Sequence, residues 1–178
     1  MKYDYDLICI GLGPAGMAVS IMGSEMGLRV CAVEKDRVGG ECMNIGCIPS
    51  KSLLRISKYR HSPLKLKEMG LLDAFELPEL DSPFPRIAEY LGYISSKKTM
   101  KMFEKVDLVL GEGPARFIDS HTVQVNGKNY SAQRIFIATG TKPQVPPIEG
   151  IGDIDFLTNE NVFSQDKVPE SMVIIGGG

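Results

Sequence analysis

A run of strand length, Tyr5 to Ile10 (YDLICI), leads directly into GLGPAG, and this junction limits the possible folds more than any other stretch of the chain. The run is nearly continuously apolar, which suits a strand covered on both faces, as in a parallel sheet. The glycines at 11, 13 and 16 then meet three separate needs: a tight turn, a close backbone approach and close helix–strand packing. MAVSIMGSEMG follows with apolar residues that suit a helix, and Leu28 to Val33 (LRVCAV) is a second buried strand closed by Glu34. Strand, helix and strand in that order make a βαβ unit, which predicts a parallel sheet covered by helices.

This order also carries chemistry. A helix that opens on a glycine turn offers free N–H groups and the positive end of its dipole to phosphates. Gly11, Gly13 and Gly16, with Pro14 and Ala15 between them, are therefore candidate pyrophosphate contacts. Glu34, at the end of the second strand and followed by Lys35, can accept hydrogen bonds from both hydroxyls of an adenosine ribose. A carboxylate there disfavours a phosphorylated ribose, so the nucleotide expected is FAD or NAD rather than NADP.

Further along, a helix is expected from the region of Cys42 and Cys47 to about Arg60, then a Pro-rich, polar stretch from His61 to Pro85. Arg86 to Lys105 is expected to be helical, with Ile87, Tyr90, Leu91, Ile94, Met102 and Phe103 as its packing face. Leu108–Ile118, Thr122–Val125 and Asn129–Ser131, separated by DSH and NGK, read as an antiparallel meander. Arg134 to Ala138 returns to a buried-strand pattern and runs into Thr139 and Gly140. The fold class expected is α/β: a doubly wound, Rossmann-like domain over residues 1–150 with a β-meander insertion, then a connection over 151–170. Met172 to Ile175 reads as a strand before the three glycines that end at Gly178, the first strand and turn of a further nucleotide-binding domain at 171–178.

With 43% hydrophobic residues and a net charge of −2 over 178 residues, the chain is not polarised toward nucleic acid. The apolar stretch from Leu7 to Val33 is broken by glycines and Pro14 and carries Glu25, so no export or membrane segment is expected. Four cysteines are too few for a disulfide scaffold, and a cytoplasmic location is expected.

Residues 39–51, GGECMNIGCIPSK, place Cys42 and Cys47 behind Gly39 and Gly40 and ahead of Pro49 and Lys51. A structural disulfide, half a zinc site and a redox-active dithiol all begin in this way. Zinc needs two more ligands, yet Cys9 and Cys31 fall in buried strands, and His61 and His121 lie in remote contexts, so no metal site is expected. Four intervening residues permit a disulfide across a first helical turn, where the dipole favours a thiolate.

Taken together, GLGPAG, GGECMNIGCIPSK, the IATG of 137–140 and the IIGGG of 174–178 resemble the class I pyridine nucleotide-disulfide oxidoreductases, which include dihydrolipoamide dehydrogenase, glutathione reductase and mercuric reductase. The resemblance covers essentially the whole chain. It implies an FAD domain in which the two cysteines form a redox-active disulfide against the flavin, with NAD(H) as the partner cofactor of the complete protein. It also implies roles. Cys42 would be the interchange thiol, Cys47 the charge-transfer thiol, and Lys51 a cation directed at the flavin ring. Gly39, Gly40, Ala138, Thr139 and Gly140 would line the flavin, and the backbone of Gly113 and Ala115 the adenine. The substrate implied is a small-molecule or lipoyl-protein dithiol, the assembly a homodimer, and the 178 residues alone would be inactive.

Glu41 departs from the pattern, standing where the family often has threonine, so its side chain is expected to turn away or meet a cation. The family's His-Glu acid–base pair has no counterpart in His61 or His121. CIPSK is the usual dihydrolipoamide dehydrogenase form, which makes that enzyme the first expectation. The alternatives are mercuric-reductase-like or glutathione-reductase-like enzymes, and a non-catalytic flavin-binding module that senses redox state.

Overall fold

The computed structural model describes residues 3–76 and 81–177. Strand β1 (Tyr5–Ile10), helix α1 (Pro14–Glu25) and strand β2 (Val30–Glu34) form the expected βαβ unit. Two helices follow, α2 (Gly40–Asn44) and α3 (Cys47–Glu68), and then α4 (Phe84–Tyr93). The last continues as a π-helical turn (Ile94–Thr99) and a 3-10 turn (Met100–Phe103). Strands β3 (Asp107–Leu110), β4 (Arg116–Phe117), β5 (Thr122–Val125) and β6 (Lys128–Ile137) complete one six-stranded sheet in the order β3-β2-β1-β6-β5-β4.

The neighbours β3, β2, β1 and β6 run parallel, whereas β6-β5 and β5-β4 are antiparallel. Alternation along the central strands sends successive side chains to opposite faces. Leu7, Cys9, Val30 and Ala32 pack under α1 with Phe103 and Val106. Ile8, Cys31, Val33 and Val109 pack instead against Val123, Val125, Tyr130 and Ala132 of the meander. Helices thus cover one face of the parallel strands and the meander covers the other. Cys9 and Cys31 are fully buried core residues, as their strand positions suggest. Burial pushes both thiols up, Cys31 to about 12.

Several boundaries differ from the sequence reading. Residues 108–118 are not one meander strand: β3 joins the parallel sheet beside β2, and only Arg116–Phe117 enters the meander. The pieces read at 129–131 and 134–138 are one strand, β6, which changes partner along its length. Ser131 is the last residue opposite β5, while Ala132 already lies opposite Tyr5 of β1. Helix α3 passes Arg60 and runs through Pro63 to Glu68, packed on α4. Among the residues expected to pack in the 86–105 helix, Ile87 and Phe103 are buried, but Tyr90 and Met102 are half exposed because the winding changes after Tyr93. Met172–Ile175 pairs with no strand among the described residues and is exposed, and Gly178 lies outside them. No helix among the described residues is long and apolar enough to cross a membrane.

Candidate functional site

The carboxyl ends of β1, β2, β3 and β6 lead into the glycine turn, Glu34, Gly111 and Ala138 respectively, at the edge where parallel α/β sheets bind ligands. Gly11 has φ +93°, and a side chain there would run into the Ala138 carbonyl oxygen. The turn after β1 and the strand exit at Ala138–Thr139 are therefore in direct backbone contact. A third backbone segment closes on them from Gly39–Gly40: a Cβ on Gly40 would stand 2.7 Å from the Gly13 Cα. Gly39 N–H donates to the Leu12 carbonyl at 2.7 Å. The Asn44 amide holds this segment by donating to the carbonyls of Gly40 (2.8 Å) and Val38 (3.2 Å).

Glu34 organises the same place. Its side chain is 8% exposed, and its two carboxylate oxygens accept from Leu12 N–H (2.8 Å) and Asp36 N–H (2.9 Å). Its own carbonyl accepts from Gly111 N–H at 2.8 Å, which ties the exit of β3 to the end of β2. Gly113 and Ala115 lie on that exit loop, Ala115 packed against the meander-side core. Lys35 points outward and pairs with Asp36 at 3.1 Å. Thr139 and Gly140 are exposed beside the glycine turn.

The cysteine block is not one helix. Helix α2 carries Cys42 and ends at Asn44, and α3 begins at Cys47 with Gly46 as its N-cap. Gly46 packs so tightly on the preceding turn that a Cβ there would lie 3.0 Å from the Glu41 carbonyl oxygen and 3.3 Å from the Cys42 Cα. That contact returns the chain to Cys42 and sets the two thiols together. Both are unbridged in this structure. The Cys42 thiol is held above its ordinary value, first by the hydrogen bond it gives to Cys47 and then by burial, while the Cys47 N–H and the Lys51 ammonium pull the other way. Cys42 is half-buried and Cys47 exposed at the start of α3, with Lys51 one turn on.

Glu41 meets an amide rather than a cation: Asn159 Nδ2 donates to its Oε1 at 2.6 Å, from a segment 118 residues away. His121 stacks on Tyr3 with ring centroids 4.9 Å apart, and its Nδ1 faces the Ala132 carbonyl in the meander. His61 lies well along α3, so neither histidine accompanies the thiols. Among the described residues no cluster could hold a metal ion. Leu12, Asn44 and Asn159 went unnoticed in the sequence. Only Asn44, inside the cysteine block, carried a signal: an amide able to satisfy turn carbonyls.

The sequence pattern of the pyridine nucleotide-disulphide oxidoreductases matches residues 5–178. The chain belongs to this family. It is 35% identical over 175 residues to a mercuric reductase of Lysinibacillus sphaericus, covering 98% of this chain and 32% of the relative. It is also 35% identical over 181 residues to a dihydrolipoyl dehydrogenase of Thermus scotoductus, covering 98% and 37%. A solved structure of the HOCl-induced flavoprotein disulfide reductase RclA from Escherichia coli superposes with a TM-score of 0.74 at 26% identity, over 93% of this chain and 35% of that one. The chain thus spans about a third of the length of the relatives it matches.

The family binds FAD and NAD(P)H. The glycine cradle fits a dinucleotide. Backbone fills the space where side chains would stand at Gly11 and Gly40, and no side chain caps α1 at Gly13, which leaves the first-turn N–H groups open to a phosphate. Gly11, Gly13, Gly16 and Glu34 would hold the adenosine diphosphate half, and Gly39, Gly40, Ala138 and Thr139 adjoin them.

Proposed function

We propose that this chain is the FAD-binding part of a disulfide oxidoreductase that passes electrons between NAD(H) and a dithiol or disulfide substrate through Cys42 and Cys47. The observation that carries the reading is the pair of unbridged thiols joined by the Gly46 turn, Cys42 on α2 and Cys47 at the start of α3, one turn from Lys51 and next to the glycine cradle. Bound FAD supplies two-electron exchange with nicotinamide. The thiols do the substrate chemistry. A Cys42 thiolate attacks one substrate sulfur and its disulfide breaks, giving a mixed disulfide and a substrate thiolate that takes up a proton. Cys47 thiolate then attacks the Cys42 sulfur, breaking its bond to the substrate; the second substrate sulfur leaves as a thiolate that takes up a proton, and a Cys42–Cys47 disulfide remains. The run reverses for dithiol oxidation. Because Cys42 begins as a hydrogen-bond donor with a raised pKa, the first step needs a base at its sulfur.

Dihydrolipoamide is the first-choice substrate, on the CIPSK block and the dihydrolipoyl dehydrogenase relatives. A mercuric-reductase-like reading has support of its own, since a mercuric reductase matches at equal identity. The same proposal assigns 1–150 to the flavin domain, 151–170 to a linker and 171–178 to the start of a nicotinamide domain, in a cytoplasmic homodimer. The test is nicotinamide turnover by the full-length protein with lipoamide, oxidised glutathione and Hg(II). Activity with lipoamide and NADH supports the first choice. Reduction of Hg(II) alone supports the second, and no turnover with any of them refutes both.

A further inference from the structure

Glu41 is the only acid of the cysteine block, and its charge works against a diphosphate bound beside it. Helix α1 opens on Gly13 with no side-chain cap, so its first-turn N–H groups and the positive end of its dipole are free to hold an anion. Gly40 closes on this opening, its Cα 4.0 Å from the position a Gly13 Cβ would take. Glu41 follows at once, its Cα about 3.8 Å further along the chain. A carboxylate there is within a side chain's length of the N–H groups that a ligand phosphate needs. Left free, it would compete for them and repel the phosphate.

The fold does not leave it free. Asn159 Nδ2 donates to Glu41 Oε1 at 2.6 Å, and among the described residues Glu41 forms no ion pair. Asn159 is half-buried in a turn that is fixed without Glu41. Thr158 N–H donates to Asn161 Oδ1 at 2.7 Å, Glu160 N–H to Thr158 Oγ1 at 3.1 Å, and Val162 N–H to the Thr158 carbonyl at 3.0 Å. The Asn161 amide also donates to the Phe156 carbonyl at 3.3 Å, and the 3-10 turn Val162–Ser164 packs on α4. The amide is therefore held in place in advance, and a bond from a fixed donor to a charged acceptor is of the stronger kind.

We propose that Asn159 is a positioning residue of the flavin site: by holding the Glu41 carboxylate it keeps that charge off the phosphate cradle, so the 156–164 segment, beyond the strands that carry the cradle, governs how tightly the dinucleotide is held. The assignment rests on the flavin reading of the cradle for the ligand, and on the Glu41–Asn159 geometry for the rest. A plain tie between two segments would matter whether or not residue 41 is charged. The role proposed here exists only while residue 41 is charged.

The test uses the full-length protein stripped of flavin and reads FAD affinity from the change in flavin fluorescence. Wild type, Asn159→Ala, Glu41→Gln and Glu41→Gln/Asn159→Ala are compared, with Asn159→Ser serving the same comparison if the alanine variant does not fold. At roughly 20 mM salt Asn159→Ala is expected to bind FAD about five- to tenfold more weakly than wild type, and at roughly 300 mM the loss is expected to shrink to about twofold. Glu41→Gln keeps an acceptor for Asn159 and is expected to bind at least as tightly as wild type, and the double variant to match it. Unchanged affinity in Asn159→Ala overturns the proposal. So does an equal loss in the Glu41→Gln background, which would make the contact a plain tie. If the charge-dependent loss is found but no disulfide is turned over, the role of Asn159 stands and the oxidoreductase reading fails. If disulfides are turned over without that loss, the oxidoreductase reading stands and the role of Asn159 fails; a wild type that takes up no FAD refutes both.

Discussion

Two glycines of α1 separate a contact the site depends on from one it tolerates. A Cβ on Gly16 would collide with the Gly11 carbonyl oxygen and lie 2.9 Å from its carbon and 3.2 Å from Cys9 Sγ. Ordinary carbon contacts are about 3.5–4.0 Å, so α1 must retreat from β1 by about 1 Å or more. The obstruction is backbone, and Gly11 is itself wedged against Ala138. Overpacking of this kind costs about 1–3 kcal/mol and more where backbone must shift, against about 1 kcal/mol gained in helix propensity. Gly16→Ala is therefore expected to destabilise by about 2 kcal/mol or more and to weaken flavin retention, since the displaced turn would form the phosphate site. Gly23→Ala is the control. Its Cβ meets only side-chain ends, Val30 Cγ2 at 3.2 Å and Leu7 Cδ1 at 3.8 Å, so strain and propensity are expected to cancel within about 1 kcal/mol. Urea unfolding and flavin content of the purified variants decide the matter. A Gly16→Ala protein as stable and flavin-loaded as Gly23→Ala would refute the reasoning.

Other outcomes follow from the same contacts. Glu34→Ala leaves the buried Leu12 N–H without its acceptor and is expected to cost about 1–3 kcal/mol, and Glu34→Arg should also release flavin, read as cofactor content after dialysis. Non-reducing mass mapping of oxidised protein should find one intramolecular bridge, Cys42–Cys47, with Cys9 and Cys31 still reduced. Because Cys47 is the largest cause of the raised Cys42 pKa, Cys47→Ala should move the pH midpoint of Cys42 alkylation down, whereas Lys51→Gln should move it up. Cys31 holds its proton in the folded state up to about 12, so the unfolded chain releases that proton first; stability should fall by about 1.4 kcal/mol per pH unit above about pH 9, with a shallower fall in Cys31→Val. Residues 1–178 with added FAD are expected to show no steady NADH–lipoamide turnover, because no histidine of this chain accompanies Cys42 to serve as its base.

How far the sequence could be read depended on whether a feature was local. The βαβ unit was legible because strand, glycine turn and helix each leave their own periodicity, and the buried faces of β1 and β2 follow from alternation alone. Glu34 was found by position, but its present partners were not, since Leu12 and Asp36 offer only backbone N–H groups, which no side-chain pattern announces. The partner change within β6 was missed for a similar reason. A strand that pairs with β5 up to Ser131 and with β1 from Ala132 has one conformation throughout, and the apparent break between RIFIA and the meander marks a change of neighbour rather than of backbone. Helix α3 outlasted its Pro63 because packing on α4 offset a lost hydrogen bond, a term absent from any local rule.

The cysteine block shows how the local and the non-local combine. Spacing placed two thiols one turn apart, but a continuous helix would have kept Cys42 in the turn behind Cys47 with its carbonyls directed along the helix. What joins them is Gly46, whose missing side chain lets the backbone lie 3.3 Å from the Cys42 Cα and restart the helix at Cys47. One helix therefore ends and another begins between the thiols. Cys47 stands exposed at the N-terminus of α3, while Cys42 sits half-buried on α2 with its thiol held above its ordinary value. Two identical side chains five positions apart are made chemically unequal by one glycine, and that inequality is what an exchange reaction with distinct attacking and resolving thiols requires.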